Sequence, residues 1–269
     1  MGLGLGQSLS QTVTPSGVVL PDSLGDMKHF FQHETGITTS SDRVTNWEDQ
    51  IGTANLVQTT VNRQPLYDST TGGINFTVAE TSANSNRLEF SSLQSFTGAF
   101  SLYFLVELED FTSGTLIFHG FTAGGTLSST DSTINFFDNT STLSNTFFQM
   151  VLSGAASGSS SSSISVATNP DPLHDTKSLV VITCSDTDGG TVKAYFGGND
   201  TNSDSINEAS SSSLSGDKAF DIKIIGHHSG SPQRQMGAKL FEWGSYEKEL
   251  SSSQVTELFN IMNNRELIG

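Results

Sequence analysis

Ala99-Phe-Ser-Leu-Tyr-Phe-Leu-Val-Glu-Leu-Glu109 settles the fold class, because its apolar residues recur with a period of two. Phe100, Leu102, Phe104, Val106 and Leu108 fall on one face of an extended chain, and Ser101, Tyr103, Leu105, Glu107 and Glu109 on the other. The pattern predicts a half-buried antiparallel strand with one face on a core. A second apolar run, Leu179–Cys184, leads through Ser185-Asp-Thr-Asp-Gly-Gly190 into Thr191–Phe196, which predicts a hairpin; Gly189 and Gly190 can supply the positive φ of a tight connection. Further strands are expected at Ile74–Val78, Leu88–Phe90, Thr115–His119, Thr133–Phe137, Phe147–Leu152, Ile164–Ala167, Phe220–Ile225 and Ala238–Tyr246. About ten short strands divided by turns are the pattern of a sandwich or barrel.

Composition agrees. The 269 residues are 34% hydrophobic and only 15% charged, with 26 Gly and 18 Phe. That argues against a helical bundle or coiled coil, which draw on Ala, Leu, Glu, Lys and Arg, whereas Phe with many Val, Ile and Thr favours strands. One helix stands out at the end. Ser251 and Gln254 have capping-box spacing, and Val255, Leu258, Phe259 and Met262 follow as one apolar stripe. The Ser tracts 157–163 and 210–213 are expected to be polar loops. Residues 1–20, Gly-, Ser- and Thr-rich, are expected to form an extended arm, with Gly2, Leu3 and Leu5 as its assembly contacts, ahead of a single domain over 21–269.

Twelve basic against 28 acidic residues give a net charge of −16, a field that disfavours nucleic acid and anionic membrane surfaces as partners. No apolar run approaches the roughly 18–20 residues that cross a bilayer. Met1–Gln7 has neither the basic nor the apolar region of a signal peptide, and the single Cys184 allows no intrachain disulfide. The expectation is synthesis in a cytoplasm without ordinary export.

Three blocks in order resemble the concanavalin A-like lectin/glucanase superfamily, in particular its laminin-G-like members. They are Val44-Thr-Asn-Trp-Glu-Asp-Gln-Ile-Gly52 with Arg63-Gln-Pro-Leu-Tyr67 and Gly72-Gly-Ile-Asn-Phe76; the Leu179–Phe196 hairpin with Gly197-Gly198; and Ile225-Gly226, Gly237–Trp243, Tyr246 and Leu250-Ser251 with the closing helix. The likeness spans 24–268. It implies an all-β jelly-roll sandwich of two antiparallel sheets with one C-terminal amphipathic helix and an extended N-terminal arm. It implies no single activity, since such folds host lectins, glycosidases, lyases and structural modules.

Glycosidases of this fold resemble one another in an E-x-D-x-x-E strand. The nearest match is Glu107-Leu-Glu-Asp-Phe-Thr112, where Glu109 replaces Asp and Thr112 the last Glu, so the third carboxylate is missing. Asp200, Asn202 and Asp204 alternate in a way that suits a hard cation such as calcium, and Asp186 and Asp188 in the hairpin turn form a second candidate pair. Asp and Asn also form turns through their own backbone bonds, without any ion. No other cofactor is indicated. His227-His228 would point to opposite faces of a strand and suits a loop; His29 and His33 share a face only if that stretch is helical. Trp47 and Trp243 fall in fold-defining blocks and are expected in the core, and Cys184 is expected to be a small buried hydrophobe.

The preferred reading is a non-enzymatic phage virion protein, a capsid decoration or tail-associated component, whose partners are other virion proteins, copies of itself, and surface glycans. Such a protein folds in the host cytoplasm and acts after lysis. The alternative is a carbohydrate-binding module or a polysaccharide-degrading enzyme.

Overall fold

The computed structural model describes residues 19–76, 86–108, 116–122, 133–138, 146–152, 162–168, 176–198, 206–214, 220–226 and 238–268. Among the described residues the chain is an all-β sandwich with one α-helix. In chain order the strands are β1 (Met27–Phe31), β2 (Ile37–Ser40), β3 (Arg43–Trp47), β4 (Leu56–Val57), β5 (Leu66–Asp68), β6 (Gly73–Asn75), β7 (Arg87–Phe96), β8 (Phe100–Leu108), β9 (Leu116–Thr122), β10 (Thr133–Asp138), β11 (Thr146–Leu152), β12 (Ser162–Thr168), β13 (Ser178–Cys184), β14 (Thr191–Gly198), β15 (Ile206–Ser213), β16 (Phe220–Gly226) and β17 (Ala238–Tyr246); helix α1 (Ser252–Asn264) follows.

One sheet runs β15-β14-β13-β8-β17-β1, antiparallel throughout. The second runs β4-β7-β16-β9-β10-β11-β12. At one edge β3, β5 and β6 carry the hydrogen bonding round from β4 to β17. The core between the sheets holds Leu102, Phe104, Val106, Val180 and Ile182 from the first sheet, facing Leu88, Phe90, Phe220 and Ile222 from the second.

The centre of the first sheet is buried on both faces. Its outer face carries Tyr103, Leu105, Leu179, Val181 and Tyr195, and these meet Val255, Leu258, Phe259 and Met262 of α1. Hence β13 is buried along its whole length, and Ser101, Tyr103 and Leu105 of β8 are fully buried. This corrects the half-buried reading of β8: alternation records which side chains share a face, and the helix supplies a cover that the strand cannot show. The apolar run of β13 is the signature expected of a two-sided strand.

The helix begins where its sequence predicts. Ser251 Oγ accepts from Gln254 N and Gln254 Oε1 from Ser251 N, closing the capping box. Ile261 joins the buried stripe. In the β13–β14 hairpin the two glycines do different jobs. Gly189 takes φ +73°, while a Cβ at Gly190 would lie 2.3 Å from the Asp186 carbonyl oxygen, so only glycine leaves room for that turn.

Two further readings are corrected. Ser210–Ser213 is not a loop but the end of β15, and Ser162–Ser163 opens β12; backbone pairing with β14 and β11 holds these segments extended although Ser has little strand preference of its own. The stretch holding His29 is strand β1, so His29 and His33 do not share a helical face. The first 18 residues, with Gly2, Leu3 and Leu5, lie outside the described residues.

Phe259 tests the covered face. It is 2% exposed, and its ring lies against Gly197, where a Cβ would come within 2.8 Å of it. Replacing Phe259 by Ala should cost about 3–5 kcal/mol of unfolding free energy, through lost burial and the cavity left behind. Equilibrium denaturation measures it, and an unchanged midpoint would mean that α1 adds no packing to the sheet.

Candidate functional site

A bulge in β17 decides what faces where. The register with β8 shifts between Leu240 and Glu242. Leu240 and Trp243 enter the core between the sheets, while Phe241 joins the helix-side cluster. Strict alternation would put Glu242 beside Leu240 in that apolar core; the extra residue turns it to the helix side instead. There its carboxylate, fully buried, accepts from Arg265 Nη1 and Nη2 at 2.7 Å each, from the Tyr103 hydroxyl at 3.2 Å and from the His33 backbone N–H at 3.0 Å. Burial, with the Glu242 charge beside it, holds the Tyr103 phenol protonated far above its ordinary range. This constellation is a clamp closed to solvent.

The predicted carboxylates fall elsewhere. Glu107 on β8 lies opposite Lys239 of β17, and Lys239 Nζ donates to its Oε1 at 3.1 Å. Asp68 approaches the same ammonium at 3.9 Å and also accepts from Thr71 Oγ1. Glu109 lies outside the described residues, as do Asp200, Asn202, Asp204 and His227-His228. Asp186 and Asp188 are exposed in the hairpin turn, and Asp186 Oδ1 accepts from Asp188 N in the local turn bond typical of Asp. Among the described residues no three His, Cys, Asp or Glu side chains gather in a way that would hold a metal ion.

His33 and His29 part company. His33 Nε2 faces the Thr71 carbonyl at 3.2 Å, and desolvation lowers its pKa even though that bond and Glu34 pull the other way. Lys177 sits 4.4 Å from the centre of the neighbouring Phe241 ring. His29 lies inside the sandwich against Phe31, Phe90, Phe96 and Trp243. Its Nδ1 is 2.8 Å from Asp49 Oδ2, and Phe30 N and Ile51 N donate to Asp49 Oδ1. Burial would push the Asp49 carboxyl up, but the bonds from His29, Phe30, Gly52 and Ile51 together hold it below its ordinary value. The ionised carboxylate can only accept, so His29 Nδ1 carries the hydrogen; its Nε2 has no hydrogen-bond partner among the described residues. Trp47 and Trp243 are core residues and Cys184 is buried, its thiol pushed up to about 12 by desolvation.

A small open cavity lies close to this histidine. It holds about 250 Å³ and is lined by Ser95, Phe96, Thr97, Ala99 and Glu247, where β7 turns into β8 and β17 ends. Lys28 of β1 is held against three of these lining residues: Nζ donates to the Ser95 carbonyl at 3.0 Å, pairs with Glu247 Oε1 at 3.0 Å, and sits 4.7 Å from the Phe96 ring centre. The lining turn is fixed from behind, because Gly98 N donates to Thr187 Oγ1 at 2.8 Å and Thr187 N to the Gly98 carbonyl at 3.2 Å. The predicted hairpin thus shapes the cavity through Thr187 rather than through its aspartates. Nothing in the sequence singled out Lys28, Phe96 or Glu247, since each comes from a different strand end. Asp49 was within reach, for it follows Trp47 in the first of the three blocks.

Neither a protein-family model nor a curated protein sequence matches the chain. Solved structures share its fold. The binding domain of Paraclostridial Mosquitocidal Protein 1 is similar with 14% identity and a TM-score of 0.53, the match covering 86% of this chain and 52% of that one. A botulinum neurotoxin type C structure, concerned with cell entry through two ganglioside molecules, gives 14% and 0.54, covering 87% and 51%. A GH54 α-L-arabinofuranosidase gives 11% and 0.51, covering 82% and 50%. The chain therefore spans about half the length of each, and at such identities the likeness establishes the all-β fold it shares with them.

Asp49 yields a pH prediction. Because its folded pKa lies below the ordinary 3.8, its stabilisation is complete above that value and is lost as the pH falls through the folded pKa. Asp49→Asn should therefore destabilise the protein at neutral pH, and the gap to wild type should shrink as the pH falls below about 3.8. Urea titrations from pH 7 to pH 3 measure it; a gap independent of pH would deny Asp49 this role.

Proposed function

We propose that this chain is a non-enzymatic glycan-binding sandwich, of the laminin-G-like kind within the concanavalin A-like folds, and that it serves on a phage virion as a capsid or tail component. One observation carries the glycan reading: the cavity beside Lys28 joins an ammonium, a carboxylate, an aromatic ring and exposed turn residues in a space suited to one small polar ring. It is smaller than the roughly 300–1,000 Å³ of pockets for drug-sized ligands. The fold neighbours suggest no more than carbohydrate as the broad class to try first, since one of them concerns interaction with gangliosides, which are acidic, and another is an arabinofuranosidase, named for a neutral sugar.

Two features support a non-catalytic role. Glycoside hydrolysis by the usual route needs two carboxyl groups set across the bond, one of them protonated. Glu107 is instead paired with Lys239, and Glu242 is closed in by Arg265 and Tyr103. The virion assignment draws on other grounds: a net charge of −16 keeps many copies soluble, and a polar, Gly-rich first segment suits ordering against a neighbouring subunit.

On a glycan array the full chain should retain neutral or mixed glycans, and a reducing-sugar assay on the same ligands should show no cleavage. Release of sugar that disappears in Glu107→Gln would refute the non-enzymatic reading. Mass spectrometry of purified particles should find the chain in multiple copies, and its absence from them would remove the virion assignment.

A further inference from the structure

We infer that the cavity at the end of the sandwich is a subsite for one neutral sugar ring, held through a pair of vicinal hydroxyls by Lys28 and Glu247. The inference rests on the glycan-binding reading above and adds where the sugar sits and what its charge must be. Lys28 spends one N–H on the Ser95 carbonyl and one on Glu247 Oε1, so one of its three donors is left for a ligand. Glu247 lines the cavity, is 63% exposed and engages Lys28 through Oε1, so its second oxygen is left as an acceptor. A hydroxyl both donates and accepts. Two neighbouring hydroxyls on a ring can therefore bridge this ion pair, one accepting from the ammonium and the other donating to the carboxylate. Bonds to charged partners are the stronger kind.

Charge selects the class. Glu247 neutralises Lys28, Asp186 and Asp188 lie exposed on the turn that carries Thr187, and the whole chain bears −16. A carboxylated or sulfated sugar would meet net repulsion, whereas a neutral ring would not. Rigidity favours binding as well. Thr187 bonds to Gly98 in both directions, and Phe96 is anchored in the core against Phe100 and Phe220, so the walls are ordered before a ligand arrives.

The experiment is a glycan array followed by titration calorimetry of the best ligand, on the full chain and two variants. Glu247→Ala removes the acceptor at an exposed position, and Ala99→Phe fills the cavity while leaving the ion pair intact. Thermal melts confirm that both remain folded. The wild type should prefer neutral glycans, and each variant should weaken the dissociation constant about tenfold or more. Neutral glycans bound equally well by all three proteins would overturn this site but leave the glycan reading standing. A preference for sialylated or sulfated glycans would overturn the charge argument alone. Retention of no glycan by the wild type would sink the site and the broader reading together.

Discussion

A fully buried carboxylate must be paid for, and Glu242 is the group on which this fold turns. Two guanidinium N–H groups, a phenol and a backbone amide satisfy it, and each comes from a different part of the chain. Arg265 is the residue that ends α1, Tyr103 stands on β8, and His33 follows β1. One charge therefore fixes the helix end, the central strand and the exit of the edge strand relative to each other. Removing one partner of such a pair costs about 3–5 kcal/mol, because the other is left buried and charged. The β17 bulge is the local condition for the arrangement, since without it the carboxylate would point beside Leu240 into the apolar core.

The consequence reaches the surface. With α1 laid along the outer face of the first sheet, most of that face is shut off from ligands. Glu107, at the far end of β8, is tied to Lys239. Among the described residues, the end of the sandwich, where strand ends and turns meet, stays open. There the cavity takes its walls from the end of β7, the turn into β8 and the residue after β17, its neighbouring cation from β1, and its support from the β13–β14 turn. His29 and Asp49 brace the same end from inside, fastening β1 to the loop after β3.

Much of the fold was legible in the sequence because it rests on local rules. Period-two alternation marked β8, a capping box marked the start of α1, and the Gly189-Gly190 pair marked the hairpin. What escaped depends on partners distant in sequence. Nothing within β8 says that Tyr103 and Leu105 will be covered by Leu258 and Phe259. The serines of β15 are strand only because β14 pairs with them. The site was less legible still: the spacing of Asp186 and Asp188 drew attention to a turn whose contribution to the cavity is Thr187. Lys28, Phe96 and Glu247 have no shared motif, for their adjacency is created by the pairing of β1 with β17 and by the turn out of β7.

Glu242 and Arg265 join helix and sheet into one cooperative unit. Native-state hydrogen exchange tests it most directly, by comparing the amides of Leu258 and Phe259 in α1 with those of Val181 and Ile182 in β13. In a single cooperative unit both sets exchange through the same opening, with equal free energies and equal denaturant dependence. Helix amides that open at a markedly lower free energy while β13 stays protected would show instead that α1 is a separable cover.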